Sequence, residues 1–120
     1  MGIVWHGNYI KYFEDGRESW GQKYGLHYLE VYKNGITTPI VHTSIDHKLS
    51  LYYGEKAIIR TEYIDSMAAK LIYKYTILRE SDKKIVATGK TIQVFMNMEN
   101  ELLLNFPQFV IDWKKKQGLL

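Results

Sequence analysis

Bulky apolar residues at Tyr9, Phe13, Trp20 and Tyr24, with small Gly16 among them, constrain this 120-residue chain more than any other feature. Steps of four, three, four and four keep them on one stripe of a 3.6-residue period, while Lys11, Asp15, Glu18 and Gln22 fall on the opposite side. The pattern predicts a helix over residues 8–24. Asn8 is the expected N-cap, since its side-chain oxygen can accept from backbone N–H groups two or three residues on. Gly25 is the expected stop. Gly16 and Gly21 lie inside this helix, and each costs roughly 1 kcal/mol relative to alanine. Tight contact with another backbone, as in a helix cupped by a sheet, accounts for both; a kink near Gly21 is the alternative.

Downstream, residues 26–33 read as a short helix ended by Asn34-Gly35, and then the period changes to two. In residues 40–49, Val41, Thr43, Ile45, His47 and Leu49 share one face, and His42, Ser44, Asp46 and Lys48 the other. Residues 56–65, 71–79 and 84–98 read as three further strands. Leu71, Tyr73, Tyr75 and Ile77 form the apolar face of the second of these; Ile92, Val94, Met96 and Met98 form that of the last. Pro107 opens a terminal helix, where proline suits a first turn. A helix, four strands joined by short turns and a final helix make an α+β chain rather than a doubly wound α/β one. Hairpin-like connections imply one antiparallel sheet, with its apolar face buried on the first helix. Without repeats or linkers, residues 1–120 read as one domain.

There are no cysteines, which excludes disulfides, thiolate zinc sites and cysteine nucleophiles. No apolar run approaches the ~20 residues of a membrane span, and the start lacks a signal-peptide layout; a cytoplasmic protein without a membrane span is the expectation. The formal net charge of +3 is mild. Lys114, Lys115 and Lys116 read as a solvated helix end that suits the negative pole of the helix dipole. No basic face with interleaved aromatics supports nucleic-acid binding. Ten tyrosines fit large, partly wet interfaces.

No phosphate loop, dinucleotide fingerprint, GxSxG elbow or HExxH occurs. On a strand, His42 and Asp46 share a face and His47 points away, which reads as exposed polar alternation; no metal is expected. Glu14, Asp15 and Glu18 read as solvated helix charges, with Glu14, nearest the apolar stripe, as a weak catalytic candidate. His6 stands apart, beside a predicted helix N-terminus between Trp5 and Gly7. Backbone N–H groups there are unpaired and the dipole favours negative charge, so an oxyanion developing on an acyl carbonyl could be stabilised. Histidine titrates near neutrality and can act as acid or base. A capping or partly buried histidine is the competing reading.

Residues 2–18, GIVWHGNYIKYFEDGRE, resemble the signature of the 4-hydroxybenzoyl-CoA thioesterase family, which includes bacterial acyl-CoA thioesterases linked to the Tol-Pal system. Gly2, Ile3, Val4, Trp5, His6, Asn8, Tyr9, Tyr12, Phe13 and Glu14 match, with Arg17 close to the family's arginine. Farther on, residues 45–55 resemble the family's second strand and its aromatic-Gly-acidic turn, and residues 87–95 its last strand. The resemblance implies a hotdog fold, in which an antiparallel sheet wraps a long helix, assembled as a homodimer or homotetramer. It implies hydrolysis of an acyl-CoA or acyl-carrier-protein thioester, with no cofactor beyond the coenzyme A of the substrate. The backbone N–H of His6 would polarise the thioester carbonyl and its side chain would assist. Trp5, Tyr9 and Phe13 would bind the acyl group, with CoA at the subunit interface.

The resemblance also puts the family's catalytic aspartate three residues before Gly2, ahead of Met1, and the family's first strand ahead of that. Two expectations follow. Met1 is an internal methionine of a shortened chain, or the chain binds acyl thioesters without hydrolysing them. In either case the 120-residue polypeptide is expected to be weak or inactive by itself, with one sheet edge unpaired.

Overall fold

A computed structural model describes residues 6–120, with side chains from Tyr9 onward. Helix α1 (His6–Tyr24) is followed by α2 (Tyr28–Lys33), β1 (Ile36–Thr37), β2 (Ile40–His47), β3 (Ala57–Ile64), β4 (Lys70–Arg79), β5 (Ile85–Val94), β6 (Met96–Asn97) and α3 (Gln108–Lys116). The long strands form one antiparallel sheet and α1 lies against it, with Tyr9, Phe13 and Gly16 buried. This is the α+β, helix-on-sheet arrangement implied by the stripe and by the resemblance.

Asn8 is not an N-cap. A capping residue stands outside helical geometry, and here the helix is already under way at His6. The helix runs unbroken through Gly21 and stops as expected at Gly25, whose φ of 85° lies in the left-handed region. The N–H groups of Gly25 and Leu26 both donate to the Gly21 carbonyl at 2.8 Å. The two internal glycines mark close approaches of different kinds. A Cβ on Gly21 would sit 2.7 Å from the Leu26 carbonyl oxygen, so the returning backbone fills that space. A Cβ on Gly16 would sit 2.5 Å from Thr61 Oγ1 and 2.8 Å from Ile59 Cγ2, so there it is β3 side chains that press on the helix.

The sheet order is β2-β5-β4-β3, not a run of consecutive hairpins. Strand β2 pairs with β5, where Ser44 faces Lys90 and His47 faces Ala87, instead of with β3. The segment after β2 continues along β5, as the N–H groups of Lys48 and Leu49 both donate to the Val86 carbonyl. It then sinks Leu51, fully buried, into the core, so the connection crosses the layer rather than folding back.

Strand β4 buries the face read from its alternation: Leu71, Tyr73, Tyr75 and Ile77. The final strand departs from expectation. It breaks into β5 and β6 at Phe95, and beyond Val86 and Ala87 its buried residues are Thr91, Gln93 and Phe95 rather than Ile92, Val94, Met96 and Met98. Polar side chains face inward because partners wait for them. The Thr91 and Tyr75 hydroxyls share a 2.7 Å hydrogen bond, and Gln93 Nε2 donates to the Thr38 carbonyl at 2.6 Å.

The terminal lysine run is likewise not uniformly solvated. Lys114 is buried, pairs with Asp65 at 2.9 Å, donates to the Ser66 carbonyl at 2.9 Å and lies 3.9 Å from the centre of the Phe106 ring. Lys115 and Lys116 are exposed. Lys114 therefore clasps α3 to the end of β3, and Trp113 Nε1 ties the same helix to the Tyr24 carbonyl at 2.7 Å.

Candidate active site

The first turn of α1 puts His6 at the start of a 19-residue helix, and no acidic residue lies in that turn. By helix geometry the leading N–H groups have no intrahelical acceptor, and the dipole adds partial positive charge there. Nothing in the first turn's own sequence neutralises that charge. This end can therefore take an anion or a developing oxyanion. Trp5 and the His6 side chain lie outside the described residues and side chains.

Tyr9, one turn on, is almost fully buried. Its ring meets His47 edge-on, with centroids 4.9 Å apart and planes at 84°, and meets Tyr12 in the same way at 6.0 Å. Burial raises the Tyr9 phenol above its ordinary range, and a hydrogen bond with the Leu51 backbone offsets part of that rise. Phe13 stacks on Tyr75, with centroids 4.5 Å apart and planes at 13°, over Gly89, where any Cβ would overlap the Phe13 ring. Tyr9 and Phe13 are thus rigid walls behind the helix start, held by the sheet.

Glu14 is exposed. It follows His6 by eight residues, about 12 Å along the axis, so the structure does not bring it to the helix start. His47 is brought there instead, at the end of β2, followed by Lys48, whose Nζ lies 2.6 Å from Asp46 Oδ2. The sequence held that signal. Alternation puts His47 on the same face of β2 as Ile45, and it is that end of the face that meets the core and α1. The candidate site then combines helix amides, the His47 imidazole and an apolar floor. Among the described residues, no group of three or more His, Cys, Asp or Glu residues could hold a metal ion.

The sequence pattern of the thioesterase-like superfamily matches residues 1–114. A Bacillus subtilis (strain 168) protein named "Putative acyl-CoA thioesterase YneP" is 33% identical over 114 residues, covering 94% of this chain and 81% of that protein. The solved structure of the DHNA-CoA thioesterase from Staphylococcus aureus superposes with a TM-score of 0.84 at 28% identity, covering 99% of this chain and 82% of that one. The fold recurs in the Staphylococcus aureus protein SAV2348, solved in complex with CoA, with a TM-score of 0.81 at 16% identity over 97% of this chain and 73% of that one. With a hotdog helix-on-sheet frame and the family pattern matched over residues 1–114, the chain belongs to the thioesterase-like superfamily.

Proposed function

We propose that this chain is an acyl-CoA thioesterase whose carbonyl-polarising group is the backbone at the start of α1. The observation that carries the reading is that helix start, with His6 first and Tyr9 and His47 packed together one turn on. Hydrolysis forms a C–O bond from water to the acyl carbon and breaks the C–S bond. The thiolate takes a proton, leaving a carboxylic acid and free CoA thiol. Negative charge gathers on the carbonyl oxygen in the transition state, and the His6 N–H donates to it. An imidazole, at His6 or His47, carries the proton to sulfur. The resemblance assigns activation of water to an aspartate three residues ahead of Gly2. Tyr9 and Phe13 form the wall facing the acyl group, with Trp5 beside them, and coenzyme A enters as part of the substrate.

The proposed assembly is a homodimer, or a homotetramer built from it. Among the described residues β2 is paired on one side only, and it is exposed along most of its length. Val41 is 60% exposed, and Tyr28 of α2, exposed as well, lies beside Ile40 at the start of the same strand. An open apolar edge of this kind is a template for strand pairing. The proposed setting is the cytoplasm, where a chain with no described helix long and apolar enough to cross a membrane meets a water-soluble thioester.

Thiol release from a panel of aliphatic and aromatic acyl-CoAs tests the reading. A version carrying an aspartate three residues ahead of Gly2 should turn over, and His6→Ala in it should lower kcat about 10²-fold. Absence of turnover across the panel, or turnover undiminished by His6→Ala, overturns the corresponding part. For the assembly, Val41→Lys should shift the sedimenting species from dimer to monomer; an unchanged dimer rejects the β2 edge.

A further inference from the structure

An imidazole is the side chain best suited to move a proton near neutrality, and His27, His42 and His47 are the histidines whose side chains are described. His27 precedes α2 and lies against Gly21, near the far end of α1. His42 is on the opposite face of β2 from Ile45 and His47. His47 is the one of these that meets the early part of α1, through Tyr9.

Its level along the helix follows from two matched spacings. Ile45 faces Gly89 across β2 and β5, and the Phe13 ring lies over Gly89. His47 faces Ala87 one rung on, and Tyr9, four residues before Phe13, packs its ring against His47. Four helical residues advance about 6 Å and two strand residues about 6.6 Å, so β2 runs along α1 toward its N-terminus, one rung to each turn. Strand β2 ends at His47, and the next level on the helix is the first turn, with His6. Tyr9 follows His6 by three residues, about 4.5 Å along the axis, and its Cα–Cβ bond tilts toward the helix N-terminus. The imidazole therefore stands on the last rung before the first-turn amides.

The chain holds it there and leaves it accessible. The Lys48 and Leu49 N–H groups donate to the Val86 carbonyl at 2.8 and 3.0 Å, Leu51 is fully buried, and the Tyr9 hydroxyl bonds with the Leu51 backbone. The segment after His47 is thus fixed to both sheet and helix, while the His47 side chain is exposed to water. Asp46 and Lys48, the charged residues on either side, are paired with each other at 2.6 Å; Ala87 opposite is uncharged, and burial keeps the Tyr9 phenol protonated through the neutral range. We propose that His47 is the general base of the hydrolysis: its imidazole takes a proton from the water that attacks the acyl carbon and returns it to the thiolate as the C–S bond breaks. The remaining O–H of that water ends in the carboxylic acid, the transferred proton ends on sulfur, and the imidazole is neutral again. The assignment rests on the thioesterase reading and gives the chain a base of its own, besides the aspartate that the resemblance places ahead of Gly2.

The test is thiol release from benzoyl-CoA and hexanoyl-CoA by the 120-residue chain across pH, with the melting temperature measured alongside. The unmodified chain should hydrolyse at least one of the two, with kcat/KM rising along a one-proton limb as the base loses its proton. His47→Gln should lower kcat by about 10²-fold or more, remove that limb and leave melting unchanged, because the side chain is exposed. In His47→Ala, added imidazole should restore turnover saturably, which a loss of packing would not allow. Full activity in His47→Gln, or a loss that imidazole does not restore, overturns the proposal. A version with an aspartate three residues ahead of Gly2 separates this failure from the wider one. Turnover by that version alone rejects His47 as the base and leaves the thioesterase reading standing, whereas no turnover by either rejects the reading itself.

Discussion

The two ends of α1 are built for different work. At the C-terminal end, Trp20 stacks on Tyr63 at 5.4 Å and meets Tyr73 and Trp113 edge-on at 5.3 and 5.8 Å. The Tyr24 carbonyl is taken up by the Trp113 indole, and Gly25 closes the turn. Toward the N-terminal end, the described packing is made by Tyr9 and Phe13, and the first turn brings no carboxylate of its own. The helix is gripped where its dipole is negative, and its first turn carries no carboxylate where the dipole is positive. Amides fixed in a helix can stabilise a developing oxyanion without reorganising.

Substitutions that load one end and spare the other test this division. The largest expected effect on stability is at the clamp. Trp113→Ala removes a buried indole and the hydrogen bond to Tyr24, and should destabilise by about 3–5 kcal/mol in chemical denaturation. Hydrolysis per folded molecule should be unchanged; a matching loss of kcat would mean that the two ends are not separable. Next is Gly89→Ala. Its Cβ would overlap the Phe13 ring and sit 2.9 Å from the Ser44 carbonyl oxygen. The cost should be about 1–3 kcal/mol. Because Phe13 lies behind the helix start, kcat should fall as well, and a purely structural penalty would argue against Phe13 as a wall of the site.

The smallest effect is electrostatic. The Lys114 ammonium holds the Asp65 carboxyl below its ordinary range. A depressed carboxylate contributes stability that is fully present above its unfolded pKa, about 3.9 for an aspartate, and that stability disappears as pH falls through the folded value. Asp65→Asn should therefore lower the melting temperature at pH 7 by roughly 3–6 °C, for a partly exposed pair worth about 1 kcal/mol. The difference should shrink as pH falls below the unfolded value and close once pH is below the folded one. A gap that persists at low pH would assign the effect to packing.

What the sequence made legible follows from how local each signal is. The stripe from Tyr9 to Tyr24 and the alternation in β4 are short-range patterns, and both elements formed where those patterns lie. The inward face of β5 was not legible, because Thr91 and Gln93 are polar and their partners, Tyr75 and Thr38, stand 16 and 55 residues away. Lys114 was misread for the same reason: its carboxylate partner, Asp65, is on another element. Pairing of β2 with β5 could not be inferred from turn lengths, since burial of Leu51 decides the path of the connection. At the site, Tyr9 and Phe13 were legible as apolar helix positions. His47 needed the further step of noting that the end of β2 carrying Ile45 and His47 is the one that meets the core and α1.

The central claim is that the backbone N–H at His6, as distinct from its side chain, polarises the thioester. His6→Pro tests it most directly, because proline is tolerated in a first helical turn and removes that one donor. The measurement is kcat for acyl-CoA hydrolysis, in the version with the aspartate ahead of Gly2, alongside the melting temperature. The account predicts a loss of about 10²–10³-fold in kcat with melting unchanged and a drop larger than that of His6→Ala. Hydrolysis by the proline variant at the unmodified rate would contradict it.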